Sequence, residues 1–230
     1  MAAEMFWDET PRDDLAALKD VVDVSFRIEC PCLPLDHAHA LASALLDRLP
    51  WLGGDAHVGI HQIHGAESGN GWMRPQDPET GLLHLSRRAR LRLRLPEAMA
   101  SDAEALVGAR LDIDGFALAI GEMSVMPLQP LPVVFARHIV ADPQQDEADF
   151  LSQIAAELRR LGVPPNKLMS GRRHVLRVPA GQLHTRSLMV AELEPESSLR
   201  LQRTGIGSNQ TLGCGLFLGH KDIAPVPGTT

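Results

Sequence analysis

The chain of 230 residues contains no tyrosine, and all aromatic residues together make up 4% of it. A surface that holds single-stranded nucleic acid mainly by base stacking needs several exposed rings, so this composition argues against that mode. Cysteine is scarce as well. Cys30, Cys32 and Cys214 make no disulfide framework, and C-x-C without further ligands is weak for zinc. No apolar run approaches membrane-spanning length, and residues 1–14 are acidic, unlike a signal peptide. These absences make the cytoplasm the expected location. Lysine is thin too: Lys19 is the only one before Lys167.

What is present describes a soluble globular chain. Hydrophobic residues are 44% and charged residues 22%, enough for one large or two small domains with a real core. Net charge is −7, but it is unevenly spread. Residues 1–130 hold 11 Lys/Arg against 20 Asp/Glu, and residues 131–230 hold 11 against 9. The acidic excess lies in the first half and a small basic surplus in the second. Phosphate binding follows local potential rather than the total.

Periodicity divides the chain into two similar series. Asp20–Glu29 alternates as a strand, with Val22, Val24, Phe26 and Ile28 on one face. Asp36 is placed to cap a helix from His37 to about Leu49, whose stripe is Leu41, Leu45 and Leu49. His57–Ile63 reads as a second strand, Gly65–Gly81 as a long loop, and Leu82–Leu95 as a third strand. Glu97–Val107 reads as helical and Arg110–Ile120 as a fourth strand with a turn at Asp114-Gly115. After the proline-rich Met126–Pro132 the order recurs: strand Val133–Val140, helix Asp146–Leu161, strands Arg173–Val178 and His184–Leu193, helix Glu196–Arg203, strand Cys214–Leu218. Strand-helix-strand-strand-helix-strand is the ferredoxin-like unit. The expected fold class is α+β, with two such domains in tandem. The expected division is an acidic arm at 1–19, a domain at 20–125, a linker at 126–132, a domain at 133–220 and a tail at 221–230.

The most informative stretch is Gly205-Ile206-Gly207-Ser208-Asn209-Gln210-Thr211-Leu212-Gly213-Cys214-Gly215. Its four glycines suit positive φ or close backbone approach, and its polar residues suggest exposed amide donors for anionic oxygens. A P-loop is excluded because no lysine follows, and a dinucleotide fingerprint because the helix precedes the loop. This Gly-x-Gly-x5-Gly-x-Gly arrangement near the C-terminus resembles the CRISPR-associated endoribonucleases of the RAMP superfamily, which cut repeat RNA. Ser198-Leu199-Arg200-Leu201-Gln202, Leu212-Gly213-Cys214-Gly215 and Pro34-Leu35-Asp36-His37 are similar to the subfamily of type I MYXAN-like systems. The likeness is densest over Asp20–Leu49 and Leu199–Leu218; elsewhere only element order matches.

The resemblance implies tandem ferredoxin-like domains and metal-independent cleavage by 2′-hydroxyl attack, giving a 2′,3′-cyclic phosphate and a 5′-hydroxyl. It implies no cofactor and no metal. The partners it implies are CRISPR repeat RNA and other subunits of an effector complex. His37 inherits the catalytic role from it. Such chemistry needs a base, an acid and cations for the phosphorane charge. A helix start also favours the neutral form of a histidine. His39 lies about 200° away around the helix and cannot easily share the site. His57, His61 and His64 read as a solvated strand, with His61 or His64 a second proton donor if the fold brings it to His37. The general acid stays unassigned. The expected RNA contacts are Gly205, Gly207, Ser208, Asn209, Gln210, Gly213 and Gly215, with Lys167, Arg172 and Arg173 in a connecting loop and Arg200 and Arg203 before the glycines. Arg88, Arg90, Arg92 and Arg94 alternate on one strand face and read either as a phosphate track or as a solvated surface. Two other readings stay open: a guide-RNA-binding subunit that does not cut, and a ferredoxin-like interaction module without RNA.

Overall fold

A computed structural model describes residues 18–54, 57–64 and 81–220; the expected acidic arm (but for 18–19), most of the long loop and the tail lie outside them. The strands are β1 (Val21–Glu29), β2 (Cys32–Pro34), β3 (Gly59–His61), β4 (Leu82–His84), β5 (Arg90–Pro96), β6 (Arg110–Ile113), β7 (Phe116–Pro127), β8 (Val134–Val140), β9 (Lys167–Val178), β10 (Gly181–Ala191) and β11 (Leu218–Gly219). The helices are α1 (Ala38–Arg48), α2 (Glu147–Arg160) and α3 (Pro195–Thr204).

The first sheet runs β3-β5-β1-β7-β6 and the second β11-β8-β10-β9, all antiparallel. Each places its first strand centrally, between its third and its last, as in the ferredoxin-like fold. The first domain adds β6, joined to β7 by the Asp114-Gly115 turn, where the Asp112 carboxylate accepts the Gly115 N–H at 2.8 Å. Alternation explains the cores. Val22, Val24, Phe26 and Ile28 of β1 and Leu91, Leu93 and Leu95 of β5 meet Leu41 and Leu45 of α1. In the second domain Phe150, Ile154 and Leu158 of α2 meet Val134, Ala136, Leu188 and Val190.

Several elements differ from expectation. The expected helix at 97–107 is a pair of 3-10 turns, Glu97–Met99 and Ser101–Leu106, cut short by the positive φ of Gly108. The expected strand at 82–95 is interrupted at Leu85–Ala89, where the Ala89 N–H bonds Ser86 O at 2.9 Å. β4 therefore pairs with β2 rather than extending β5. β7 continues to Pro127, two residues into the segment expected as linker. Lys167, Arg172 and Arg173 lie within β9 and not in a loop. Asp36 does not cap α1; its Oδ2 accepts the Arg177 N–H of the other domain at 2.8 Å.

The domains meet through buried side chains rather than a loose hinge. Arg94 is 1% exposed. Its Nε and Nη2 donate to the two carboxylate oxygens of Asp23 at 2.9 and 3.1 Å. Its Nη1 donates to Gln202 O and Phe217 O of the second domain at 2.7 Å each. Arg94 is thus no phosphate contact: the second domain covers it. Burial works against the Asp23 carboxylate, but Arg94 and His61 hold it below the usual range. Nearby, Arg203 forks onto Asp20 at 2.7 and 2.8 Å, and Val21, Leu128 and Leu199 form a small apolar contact.

Removing one partner of a buried pair leaves an uncompensated charge, which costs about 3–5 kcal/mol. Arg94→Met should lower the urea midpoint by a corresponding amount, and Arg94→Met with Asp23→Leu should recover part of the loss. Equal midpoints for the wild type and Arg94→Met would show that this pair does not hold the domains.

Candidate active site

The glycine segment is built for docking. Gly205, Gly207, Gly213 and Gly215 have φ of 68°, 74°, 82° and 71°. A Cβ on Gly215 would lie 2.0 Å from Ile206 O, and one on Gly213 would press on Gln62 and Ile60 O of the first domain. The amides are largely consumed within the protein. Ile206 N–H bonds Gly215 O, Gly215 N–H bonds His138 O, and Gly213 N–H bonds Gln210 O at 3.1, 2.7 and 3.0 Å. Gly207 N–H donates to the Glu157 carboxylate at 3.1 Å, which would repel a phosphate there. Gly205, Gly213 and Gly215 therefore shape the chain and seat it on β3, while Gly207, Ser208 and Asn209 are its exposed tip. Gln210 reaches back to Thr204 O at 3.0 Å.

The expected basic cluster does not form one surface. Arg203 is spent on Asp20, Arg200 pairs with Glu196 one helical turn away, and Lys167 lies 3.7 Å from Glu192. Arg173 donates to Pro143 O and Gln145 O at 2.9 and 2.7 Å. Arg172 is exposed on β9.

What the fold does assemble is a cleft of 480 Å³ between the two sheets, lined by His61, Gln62, His64, Arg137, His138 and Gly213 among others. Its second-domain wall depends on a bulge. Between the pairs Arg186↔Ile139 and Leu188↔Ala136, β8 holds two residues against one of β10. The extra residue interrupts alternation, so the consecutive Arg137 and His138 both line the cleft. His138, 6% exposed, bonds Thr185 Oγ1 through Nδ1 at 3.0 Å and stands edge-on to His174 with centroids 5.1 Å apart. Sequence periodicity passed over Arg137 and His138, because a bulge is visible only in the register of two strands.

The first-domain wall is the exit of β3. His64 is half-buried there. Burial lowers its pKa well below the ordinary value, and Arg137 across the cleft lowers it further, followed by His37 and His138. It is neutral near pH 7. His61 is buried, with Nε2 3.7 Å from Asp23 Oδ1, too far for a hydrogen bond.

His37 lies deep in the fold. It is 2% exposed at the start of α1, on the stripe of Leu41 and Leu45. Its Nε2 accepts the Ile63 N–H at 3.1 Å, so Nδ1 carries the proton and donates to Pro34 O at 2.8 Å. Both ring nitrogens are engaged, and the ring cannot act as a free base in this arrangement. Instead it ties the start of α1 to Ile63, the neighbour of His64. Burial depresses its pKa, against the Pro34 carbonyl and Asp36. Cys214 is buried, its thiol pushed up to about 12 by burial, and is an inert packing residue.

A histidine held neutral takes up its proton more readily when unfolded, so its contribution to stability is present above about pH 6.5 and lost as pH falls below it. Urea midpoints should fall between about pH 7.5 and 5, and less steeply in His37→Asn. An identical pH slope in that variant would mean that His37 is not the buried neutral group described.

Comparison with known proteins fits this architecture. The family model described as Cas6 Crispr matches residues 22–222. A curated relative, the CRISPR-associated endonuclease Cas6 of Myxococcus xanthus (strain DK1622), is 34% identical over 197 residues, covering 86% of this chain and 80% of the relative. Among solved structures, a CRISPR associated protein Cas6 superposes with a TM-score of 0.59 at 9% identity, over 87% of this chain and 100% of that one. A Cas6-related protein of Pyrococcus furiosus gives 0.58 at 14% identity, over 86% and 97%. These two share the fold, and the extent of the family match decides the assignment: the chain belongs to the Cas6 family of CRISPR-associated proteins.

Proposed function

We propose that this protein is a metal-independent endoribonuclease that cuts CRISPR precursor RNA within its repeats, and that the cut is made in the cleft between the two sheets. The observation that carries this reading is the convergence of His64, Arg137 and His138 from both domains on one cleft, in a chain of a family whose named relative is an endonuclease.

The chemistry follows from the groups present. His64, neutral near pH 7, takes the proton of the 2′-hydroxyl, whose oxygen attacks the adjacent phosphorus. The bond from phosphorus to the 5′-oxygen breaks, leaving a 2′,3′-cyclic phosphate. His138, facing His64 from the other domain, would act in its imidazolium form, giving its proton to the departing 5′-oxygen and ending as the neutral ring while His64 ends protonated. The Arg137 guanidinium meets the charge that gathers on the phosphorane. His37 acts as a positioning residue, fixing Ile63 and through it His64. The base role that the resemblance gives to His37 has one specific support, its place at the start of α1. It requires RNA binding to break the Ile63 N–H contact, freeing Nε2. Of the remaining candidates, Ser208, Asn209 and Arg172 are exposed and suited to contact the RNA outside the cleft, whereas Arg200, Arg203 and Lys167 would first have to leave their carboxylates.

Single-turnover cleavage of repeat RNA in EDTA tests the reading. Wild-type protein should give a cyclic phosphate end, and His64→Ala should slow cleavage by about 10²–10⁴-fold without loss of binding. Wild-type rates in His64→Ala, alongside a folded but inactive His37→Ala, would return the base role to His37. Binding without cutting by the wild type would make the chain a guide-RNA-binding subunit, and neither binding nor cutting would leave an interaction module.

A further inference from the structure

Cutting an RNA internally requires the strand to continue on both sides of the bond that breaks. The 480 Å³ cleft accounts for one side of His64. On its other side lies a groove of 270 Å³, lined by Ser86, Arg88, Arg90 and Arg92 together with His61 and His64. The two hollows share His61, Gln62, His64 and Leu218, so they adjoin along these residues, His64 among them.

The groove wall follows from alternation on β5. Ala89, Leu91, Leu93 and Leu95 are buried in the first core, so the arginines between them stand on the opposite face, about 6.6 Å apart. Arg94 is drawn into the domain contact, and Arg88, in the turn before β5, joins Arg90 and Arg92 along the groove. Among the described residues, no carboxylate forms an ion pair with these three. Asp23 is committed to Arg94, and Glu122 lies 3.6 Å from Arg27 on the far edge of β1. Arg90 Nη1 donates to Arg87 O and Ala89 O at 3.1 and 2.8 Å, which fixes this charge at the rim without neutralising it. The chain has no tyrosine and few other rings to stack bases, so a site of this kind grips phosphates.

Building on the proposed endoribonuclease reading, we infer that Arg88, Arg90 and Arg92 form a second RNA track, which holds by its phosphates the single-stranded segment leaving the scissile bond on the side away from Arg137. It is sequence-independent, whereas the cleft positions the bond to be cut.

The test is binding of repeat RNA carrying a 2′-deoxynucleotide at the scissile position, which cannot be cut, over a series of KCl concentrations. Replacing Arg88, Arg90 and Arg92 together with Gln should lower the slope of log Kd against log salt by about 2, since each phosphate contact on single-stranded RNA contributes about 0.7. The exposed Arg88→Gln alone should lower it by about 0.7, which keeps the test valid if the triple variant folds poorly. With RNA truncated on one side of the scissile nucleotide the deficit should vanish, and with RNA truncated on the other side it should persist. An unchanged slope in both variants, with the wild type binding normally, overturns the track alone. Failure of the wild type to bind any repeat RNA overturns the endoribonuclease reading, and the track with it.

Discussion

The architecture depends on one guanidinium. Arg94 stands on β5 of the first domain and is covered by the second, with its donors divided between a carboxylate of its own sheet and two carbonyls across the boundary. A buried charge is tolerable only when its donors find acceptors, and here Asp23, Gln202 and Phe217 supply four. Those acceptors bracket the glycine segment, since Gln202 precedes it and Phe217 follows it. The arginine therefore fixes where that segment lies against the first sheet. The glycines complete the fit: Gly213 sits where a Cβ would strike Gln62 and Ile60 O, and Leu216 packs onto the backbone of Gly59.

From this contact the cleft follows. With the domains held at a fixed spacing, the exit of β3 faces β8, and the bulge in β8 turns Arg137 and His138 toward it. His37 ties α1 to Ile63 from below. His64 is then the imidazole that is supported on one side and open to the cleft on the other. A proton-transfer group benefits from this combination, because burial and a facing arginine keep it neutral while access remains. Apolar core, ion pair and backbone bonds act together to hold a small number of polar groups at the boundary.

Much of the fold is legible in the sequence because periodicity encodes it. The alternation of β1, the stripe of α1 and the Asp114-Gly115 turn each fix an element locally, and the recurrence of their order gives the tandem ferredoxin-like arrangement. What was not legible lies in contacts between distant segments. Four alternating arginines look equivalent in the sequence, yet Arg88 falls in the turn before β5 and Arg94 is internal because another domain covers it. His37 has the right place in the chain, but its two backbone partners, Pro34 and Ile63, come from separate segments. The glycine segment reads as a set of amide donors, and only the folded loop shows those donors already spent on Gly215, His138 and Gln210 carbonyls and on Glu157. Arg137 and His138 gave no signal, since adjacent residues of a strand ordinarily face opposite ways. Arg200 and Arg203 read as RNA contacts because they adjoin the glycines, but adjacency in sequence says nothing of the carboxylates, Glu196 and Asp20, that they meet.

The central claim is that the strand is cut between the two sheets, at His64, and not at the exposed face of α3. Photo-crosslinking tests it most directly, using repeat RNA with a 2′-deoxyribose at the scissile nucleotide and a photoreactive base beside it. The account requires crosslinks in the segments around Gln62–His64 and Arg137–His138. Crosslinks confined to α3 around Arg200 and Arg203, with none in those two segments, would contradict it.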